Sequence, residues 1–450
     1  MPTSSPGIGS GLDVNSIVSQ LVALERQPIA ALQEKKAKLN TQLSSFGLLQ
    51  SYMANVQSVA AQLGMADFWA KSIASSSDST AVAATALASA VPASYSVEVL
   101  SLASAQSLST AAGAITDASN LGAGTLTIMR GTSAVPITIV DGTSLAAVRD
   151  QINAAKAGVT ATIIQDGSGP RLVFNGSDTG TANAVSIAVS GANGQLAALS
   201  YPGGMTQDRP PANASLKING LTISSAKNNL SGVVDGLNLT LAKVTTTPVQ
   251  VTVGNDTATM KKGITDFVSA YNEISRYLST QTKYDDASKV AGALQGDRSA
   301  VGMLNQLRST LQQTSTASTV YQRLGDLGLA LQRDGTIKLD NGKLDAALAN
   351  PAELSRAFTT LQTGFGLRFK ALGDSVLGTE GLLTTRTNGL RDSISRNDKD
   401  QKRLEERVAR VQERLTRQYS ALDNSLNRLN GLGSYVQQQI TNWNKTDNRL

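Results

Sequence analysis

The sequence predicts an α+β, multidomain chain with helices at both ends and a strand-rich centre, and three observations carry that prediction. Apolar residues recur at spacings of three and four near both termini; short β-branched, alternating runs fill residues 72–255 between Gly, Asp and Asn clusters; and 450 residues are enough for roughly two to four domains. The chain contains no cysteine and no histidine. Disulfides, thiolate zinc sites, cysteine nucleophiles and imidazole bases are thereby excluded, which leaves carboxylate chemistry, Ser–Lys pairs and oxygen-ligand cation sites.

The opening stretch GIGSGLDVNSIVSQLVALERQPI, residues 7–29, places Asp13 as a helix N-cap before an apolar stripe of Val14, Ile17, Val18, Leu21 and Leu24, with Leu12 at its head. No partner for this stripe is evident nearby. Pro28 removes a backbone donor and biases Gln27 away from helical geometry, so a separate or kinked segment is expected up to that point. The first basic residue, Arg26, follows the stripe, the reverse of a cleavable signal, and no stretch reaches the ~18 consecutive apolar residues of a membrane span. Export without a cleaved leader is the expectation.

A long helix follows, with Leu39, Leu43, Phe46, Leu49, Met53, Val56, Ala60 and Leu63 on one seam. Met260, Ile264, Phe267, Tyr271, Ile274 and Leu278 mark another helix, and shorter patterns occur at Met303, Leu304, Leu307 and Leu311 and over 352–372. RDGTIKLDNGKLD, residues 333–345, reads as a small hairpin around Ile337 and Leu339. The final helix carries Leu404, Val408, Val411, Leu415, Tyr419, Leu422, Leu426 and Leu429, then Val436, Ile440 and Trp443 beyond a Gly431/Gly433 interruption; this is a coiled-coil seam with a stutter.

In the centre, SYSVEVL, GTLTIM, VPITIV, GVTATII, PRLVF, NAVSIAV, SLKING, LTIS and LNLTLAKV read as strands, broken by a helix at SLAAVRDQINAA that Ser144 caps. Two small domains account for this region. Each seam residue removed from water contributes roughly 1.5–3 kcal/mol, which an isolated helix cannot collect. The ends therefore pair with each other, with neighbouring copies, or with another helical protein. The stripes at 39–63 and 260–278 serve equally as internal core or as subunit contacts, whereas 12–24 and 419–443 favour contacts between molecules.

The net charge of +6 does not indicate nucleic-acid binding, because residues 256–450 hold 27 basic groups interleaved with 21 acidic ones. Asp392/Arg396, Asp398/Lys402, Glu406/Arg410 and Glu413/Arg417 are spaced i,i+4 with the acid first, as on a solvated helix. Gly7, Gly9 and Gly11 lack the preceding strand of a phosphate loop, and Ser224 and Lys227 lack the companion motifs of an acylase. Asp334, Asp340 and Asp345 miss calcium-loop spacing, and Asp178, Asp208 and Asp235 show no pairing suited to hydrolysis. No catalytic residue, cofactor or metal ligand is assigned.

Taken together, these segments resemble the flagellar hook-associated protein 2 family, the filament cap, over essentially the whole chain. The resemblance rests on GSGLDVNSIVSQLVALERQPI, LGAGTLTIM through PRLVFNGSDTG, NGLTISSAKNNLSGVVDGLNLTLAKV, DFVSAYNEI, GALQGDRSAVGMLNQLRSTL, LGDLGLALQRDGTIKLDNGKLDAAL and RLTRQYSALDNSLNRLNGLGSYVQQQITNW, in that order. It implies an α-helical coiled-coil stem formed by the N- and C-terminal segments, with two β-rich head domains inserted between them. The implied boundaries are 1–38 for a flexible assembly segment and 39–71 with 257–450 for the stem, its C-terminal end mobile before assembly. The first head domain takes 72–112 and 208–256, and the second, a flagellin-type module, 113–207.

The resemblance also implies an extracellular place at the filament tip, a ring of about four to six copies, and contacts with flagellin and other hook-associated junction proteins. It adds an export chaperone on the C-terminal helix, with host mucin as a further partner of the head; nucleic acid and membrane insertion have no part. A hook–filament junction protein or a glycan-binding tip adhesin is the alternative function. The residues assigned to assembly are Leu12, Ile17, Leu21, Leu24, Leu39, Leu43, Phe46, Met53, Leu415, Tyr419, Leu422, Leu426, Leu429, Val436 and Ile440.

Overall fold

The computed structural model describes residues 13–285, 287 and 289–447, with side chains through 442. Helices α1 (Val14–Leu63) and α2 (Ala66–Trp69) lead into β1 (Ser72–Ser76), β2 (Val82–Ala86), β3 (Ala93–Ser101), β4 (Ala105–Thr110), β5 (Gly124–Arg130) and β6 (Ser133–Ile139). After α3 (Leu145–Ala155) come β7 (Val159–Asp166), β8 (Gly169–Thr179), β9 (Val185–Ser190), β10 (Met205–Arg209), β11 (Ala214–Ile218), β12 (Leu221–Ser225), β13 (Asn229–Val234), β14 (Leu237–Leu241) and β15 (Val249–Asn255). The chain then returns to helix. It forms α4 (Thr257–Thr282), a ribbon of β16 (Tyr284–Asp285) and β17 (Val290–Ala291), α5 (Arg298–Gln312), the pair β18 (Leu329–Leu331) and β19 (Ile337–Leu339), α6 (Asn341–Leu348), α7 (Pro351–Thr359), α8 (Phe365–Leu377) and α9 (Leu382–Asp447). Two compact units result, a helical one from both ends of the chain, through Trp69 and from Thr259 onward, and a β-rich one over Ala70–Ala258.

In the helical unit the predicted seams become the core. Phe46, Leu49, Met53, Val56, Ala60 and Leu63 of α1 pack against Met260, Ile264, Phe267, Tyr271, Ile274 and Leu278 of α4, joined by apolar residues of α5, α7, α8 and the first turns of α9. Phe267 and Phe369 meet edge to face at 5.0 Å, and the Trp69 indole N–H donates to the Leu63 carbonyl at 2.8 Å. Helix α8 approaches α1 closely because glycines face it: a Cβ on Gly366 would lie 2.7 Å from the Gly64 nitrogen, and one on Gly373 2.6 Å from Gln57 Cβ.

Asp297 caps α5 through the N–H groups of Ser299 and Ala300, and its buried carboxylate accepts from Arg386 Nε at 3.0 Å and Nη2 at 2.8 Å. The same guanidinium lies over the Phe46 ring, 5.8 Å from its centroid. One side chain of α9 thus ties α5 to α1.

The β-rich unit has two cores. One, under the sheets β1-β15-β3-β11-β12 and β13-β14-β2, is filled by Val97, Val99, Leu216, Leu239 and Val251. The other lies between β10-β4-β8-β7, β6-β5-β9 and α3, around Leu126, Val148, Ile152 and Phe174. Ser144 caps α3 as predicted, accepting from the Ala147 N–H at 3.2 Å. The domain boundaries need correction here. Strand β4, assigned from sequence to the first head domain, pairs with β8 of the second, with Leu108 opposite Phe174. Its sequence AQSLST is polar and poor in β-branched residues, so it carried no strand signal.

Two local expectations also change. Asn341-Gly342 is not a hairpin turn; it opens α6, with the Asp340 carboxylate accepting from the Gly342 and Lys343 N–H groups. The hairpin instead joins β18 and β19. Asp334 turns back onto Thr336, and Asp345 pairs with Lys261 at 2.6 Å.

Helix α1 also runs through Pro28 without a break, so residues 14–38 belong to a continuous helix and not to a separate flexible segment. Proline leaves the Leu24 carbonyl without its helical donor, and burial of Val22 and Ile29 on either side offsets the loss. Replacing Pro28→Ala is expected to stabilise this part of α1 by about 3 kcal/mol, read as slower hydrogen exchange over residues 14–27.

Tyr271 is buried, its hydroxyl has no hydrogen-bond partner among the described residues, and burial pushes its pKa up to about 12. Because the unfolded phenol ionises near its ordinary value of 10, stability is retained below that pH and lost as pH rises toward 12. Tyr271→Phe should remove about 3 kcal/mol of the stability lost between pH 10 and 12 and leave neutral-pH stability unchanged or higher by ~1 kcal/mol, as measured by urea unfolding at each pH.

Candidate assembly interface

Asp13 caps α1 as predicted, its carboxylate accepting from the Ser16 N–H at 2.9 Å. Beyond the main core, α1 and α9 pair antiparallel. The register is set by Lys36–Asp398 at 2.8 Å and Glu25–Arg407 at 3.7 Å. Both ion pairs are solvent-exposed and contribute little to stability; what they show is that residue numbers on the two helices run in opposite directions. Asp398 therefore pairs across the helices and not with Lys402 of its own helix, while Glu413–Arg417 forms the predicted i,i+4 pair at 3.1 Å.

The seam between the helices is Val14, Val18, Val22, Ile29 and Val408, flanked by Leu404, Leu415 and Tyr419. This corrects the expectation that the N-terminal stripe lacks a partner within the chain. The positions split into two strips, because the i,i+4 series 14, 18, 22 faces α9 whereas Ile17 and Leu21 are half-buried and Leu24 is 60% exposed. Val22 and Ile29, absent from the predicted stripe, continue the series from Val18 by four and then seven residues and were legible from that spacing. Buried Asn397 interrupts the seam with neither side-chain group bonded among the described residues, a cost of about 1–3 kcal/mol.

The other assigned residues fall into three groups. Phe46 and Met53 are wholly buried in the main core, with Leu39 and Leu43 packed against it, so Phe46 and Met53 present nothing to another molecule. Their seam is filled by α4 and α8, which sequence periodicity alone did not decide. Leu415 and Tyr419 rest on α1, and Leu426 is half-buried. Leu422, Leu429, Val436 and Ile440 are exposed, together with Leu432 and Tyr435, which lie off the seam and went unassigned. Leu12 lies outside the described residues, as does the side chain of Trp443.

Helix α9 passes Gly431 and Gly433 without a break, so the apolar series continues on one rigid element. From the register of the two ion pairs, Asp13 lies opposite α9 near Tyr419, and the exposed series begins just beyond it. Along one side of the α1–α9 pair runs a groove of about 500 Å³ with Ile29, Ala30, Val408 and Ala409 among its apolar lining and Arg26, Gln33, Glu405 and Gln412 among its polar lining. Among the described residues no group of three or more acidic side chains could hold a metal ion, and no helix is long and apolar enough to cross a membrane. Ser224 Oγ accepts from Asn213 and takes part in no Ser–Lys contact.

Three family models match the chain: flagellar hook-associated protein 2 N-terminus over residues 10–106, flagellin hook IN motif over 120–178, and flagellar hook-associated protein 2 C-terminus over 211–431. Among curated relatives, the A-type flagellar hook-associated protein 2 of Pseudomonas aeruginosa is 33% identical, over 98% of this chain and 97% of its own. The flagellar hook-associated protein 2 of Escherichia coli is 32% identical over 98% of each. A crystal structure of three domains of the flagellar cap protein FliD from Escherichia coli superposes with a TM-score of 0.61 at 32% identity, covering 77% of this chain and 99% of that one.

The two strips of α1 are separable by substitution. Val22→Ser should weaken the α1–α9 pairing by about 2 kcal/mol, whereas Leu24→Ser should change stability by no more than ~0.5 kcal/mol; hydrogen exchange over residues 14–29 distinguishes them.

Proposed function

The chain belongs to the flagellar hook-associated protein 2 family, and from that premise we infer that it is a structural cap at the distal tip of the bacterial flagellar filament. Its work is mechanical. Copies of the chain form a ring, exported flagellin is held beneath it until folded, and the ring shifts as each new subunit takes its place. No residue is asked to perform covalent chemistry. The chain reaches the tip by export, its C-terminal helix held by a chaperone on the way.

The observation that carries this reading is the far half of α9. Leu422, Leu429, Leu432, Tyr435, Val436 and Ile440 are exposed on the part of α9 that lies beyond the point opposite Asp13, the first described residue. An apolar series of that length on a soluble surface marks a contact with another molecule. Such contacts must hold the cap in place yet release as it moves, and short apolar patches on a helical end meet both needs. Ile17, Leu21 and Leu24 on the outer strip of α1, with Leu39 and Leu43, supply the remaining contacts.

The test is a Leu429→Asp/Val436→Asp double variant. Both side chains are exposed, so the melting temperature should stay within about 2 °C of wild type. Introduced into cells lacking the cap, the variant should leave flagellin monomers in the medium and filaments absent or much shortened. Filaments of normal length would overturn the reading.

A further inference from the structure

A strand at the edge of a sheet leaves a row of backbone N–H and C=O groups that another strand can join, and folded proteins block such edges. In the β-rich unit the blocks can be read one by one. Strand β10 is bulged between Gln207 and Arg209, and β13 between Ser231 and Val234, where Gly232 has a φ of +74°. Strand β6 contains Pro136. On β7 the Asn153 side chain of α3 takes both groups of Ala161, donating to its carbonyl at 3.0 Å and accepting from its N–H at 2.7 Å. On β9, Ile187 exchanges both backbone hydrogen bonds with Tyr201, at 2.9 and 2.8 Å. Strands β1 and β2, edges of two different sheets, lie against each other.

Among the described residues of this unit, β12 is the edge that carries no such block. It ends the five-stranded sheet and pairs with β11 from Leu221 to Ser225 without a register shift. Its sequence LTISS has no proline, glycine or charge, and its outer backbone groups have no partner among the described residues. The strand is fixed at both ends. Asn219 donates its N–H to the Ser96 carbonyl at 2.9 Å and accepts from the Ser96 N–H at 2.9 Å, and the Thr179 hydroxyl holds the Ala226 carbonyl at 2.5 Å. Ile223 lies opposite Leu216 and Leu221 opposite Ile218, so both share the face that Leu216 and Ile218 bury in the core. That face runs out to the open edge and ends in Leu221, which is 73% exposed.

We propose that β12 pairs antiparallel with β12 of a second copy, about a two-fold axis at Ile223. The occupant follows from the state of the other edges. A head-to-tail contact would need a second open edge on the same unit, and the others are blocked, so the edge of a second copy that can receive β12 is β12 itself. The pairing is self-complementary. Ile223 meets its own copy, Leu221 lies opposite Ser225 of the second copy, and Thr222 opposite its Ser224, a pair of hydroxyls, so no like charges meet. Centring on Ile223 pairs all five residues, and any other centre leaves part of the strand bare. A two-fold contact stops at two copies, so it adds to the ring reading without depending on it. With five residues a side it falls short of the area of a permanent dimer, and the pairing is weak and reversible.

The chain has no cysteine, so single cysteines report the contact in the full chain. Ile223→Cys lies on the axis and should oxidise to a covalent dimer about tenfold faster than Leu221→Cys or Ser225→Cys alone, whereas a mixture of the last two should cross-link. In wild-type chain the outward amides of residues 221–225 should gain protection from hydrogen exchange as concentration rises. Thr222→Lys with Ser224→Lys, both exposed positions, sets lysine opposite lysine and should abolish that gain, and mixing with the Thr222→Glu/Ser224→Glu chain should restore it. This charge pair decides the matter even if Ile223→Cys weakens the sheet. Equal oxidation rates for the three single cysteines, or protection in wild type that ignores concentration, would overturn the contact. Protection that appears only when flagellin is added would assign the edge to a foreign strand and overturn it as well. Ring assembly is read by oligomer size and this contact by β12 alone, so failure of one leaves the other standing.

Discussion

Antiparallel pairing of α1 with α9 is the constraint on which the helical unit depends. The two helices come from opposite ends of the chain, and the whole β-rich unit is inserted between them. Closing so long a loop costs only slowly growing entropy, and the contacts that repay it are concentrated where α1 meets several elements at once. Arg386 is the clearest instance: its guanidinium binds the carboxylate that caps α5 and covers the ring of Phe46 on α1. Removal of that side chain would leave a buried carboxylate held only by the two N–H groups it caps.

The same pairing explains why some apolar seams are covered and others bare. Where α1 runs beside α9, the valines at 14, 18 and 22 shield Val408 and its neighbours. Helix α9 is 66 residues long and α1 is 50, and the last part of α1 is engaged with the core. The register places the start of α1 opposite Tyr419, and from Leu422 onward the seam continues in sequence with no facing residue among those described. Among the described residues coverage follows helix length and register, and the exposed leucines of the far half keep the composition of an interface.

Much of this was legible in the amino-acid sequence, and the failures have physical causes. All six seam residues of α4 are buried as their spacing requires, and Ser144 and Asp13 cap the helices they precede. Pro28 misled because local propensity was overridden by tertiary packing on both sides of it. Phe46 and Met53 misled in another way, since periodicity identifies a buried face without saying which molecule buries it. Strand β4 left no trace because its side chains are mostly small and polar, and only its pairing with β8 and β10 makes it a strand.

The β-rich unit begins and ends on paired strands. Ser72 of β1 lies opposite Asn255 of β15 in antiparallel register, so the chain enters and leaves this unit at points only about 5 Å apart. A module anchored by two adjacent threads behaves toward the rest of the chain like a long surface loop. It can be enlarged, trimmed or exchanged for an unrelated fold with equally close ends, and the helices need not register the change. The β-rich unit is thereby free to diversify in sequence and fold, and it is equally the natural place to graft foreign cargo.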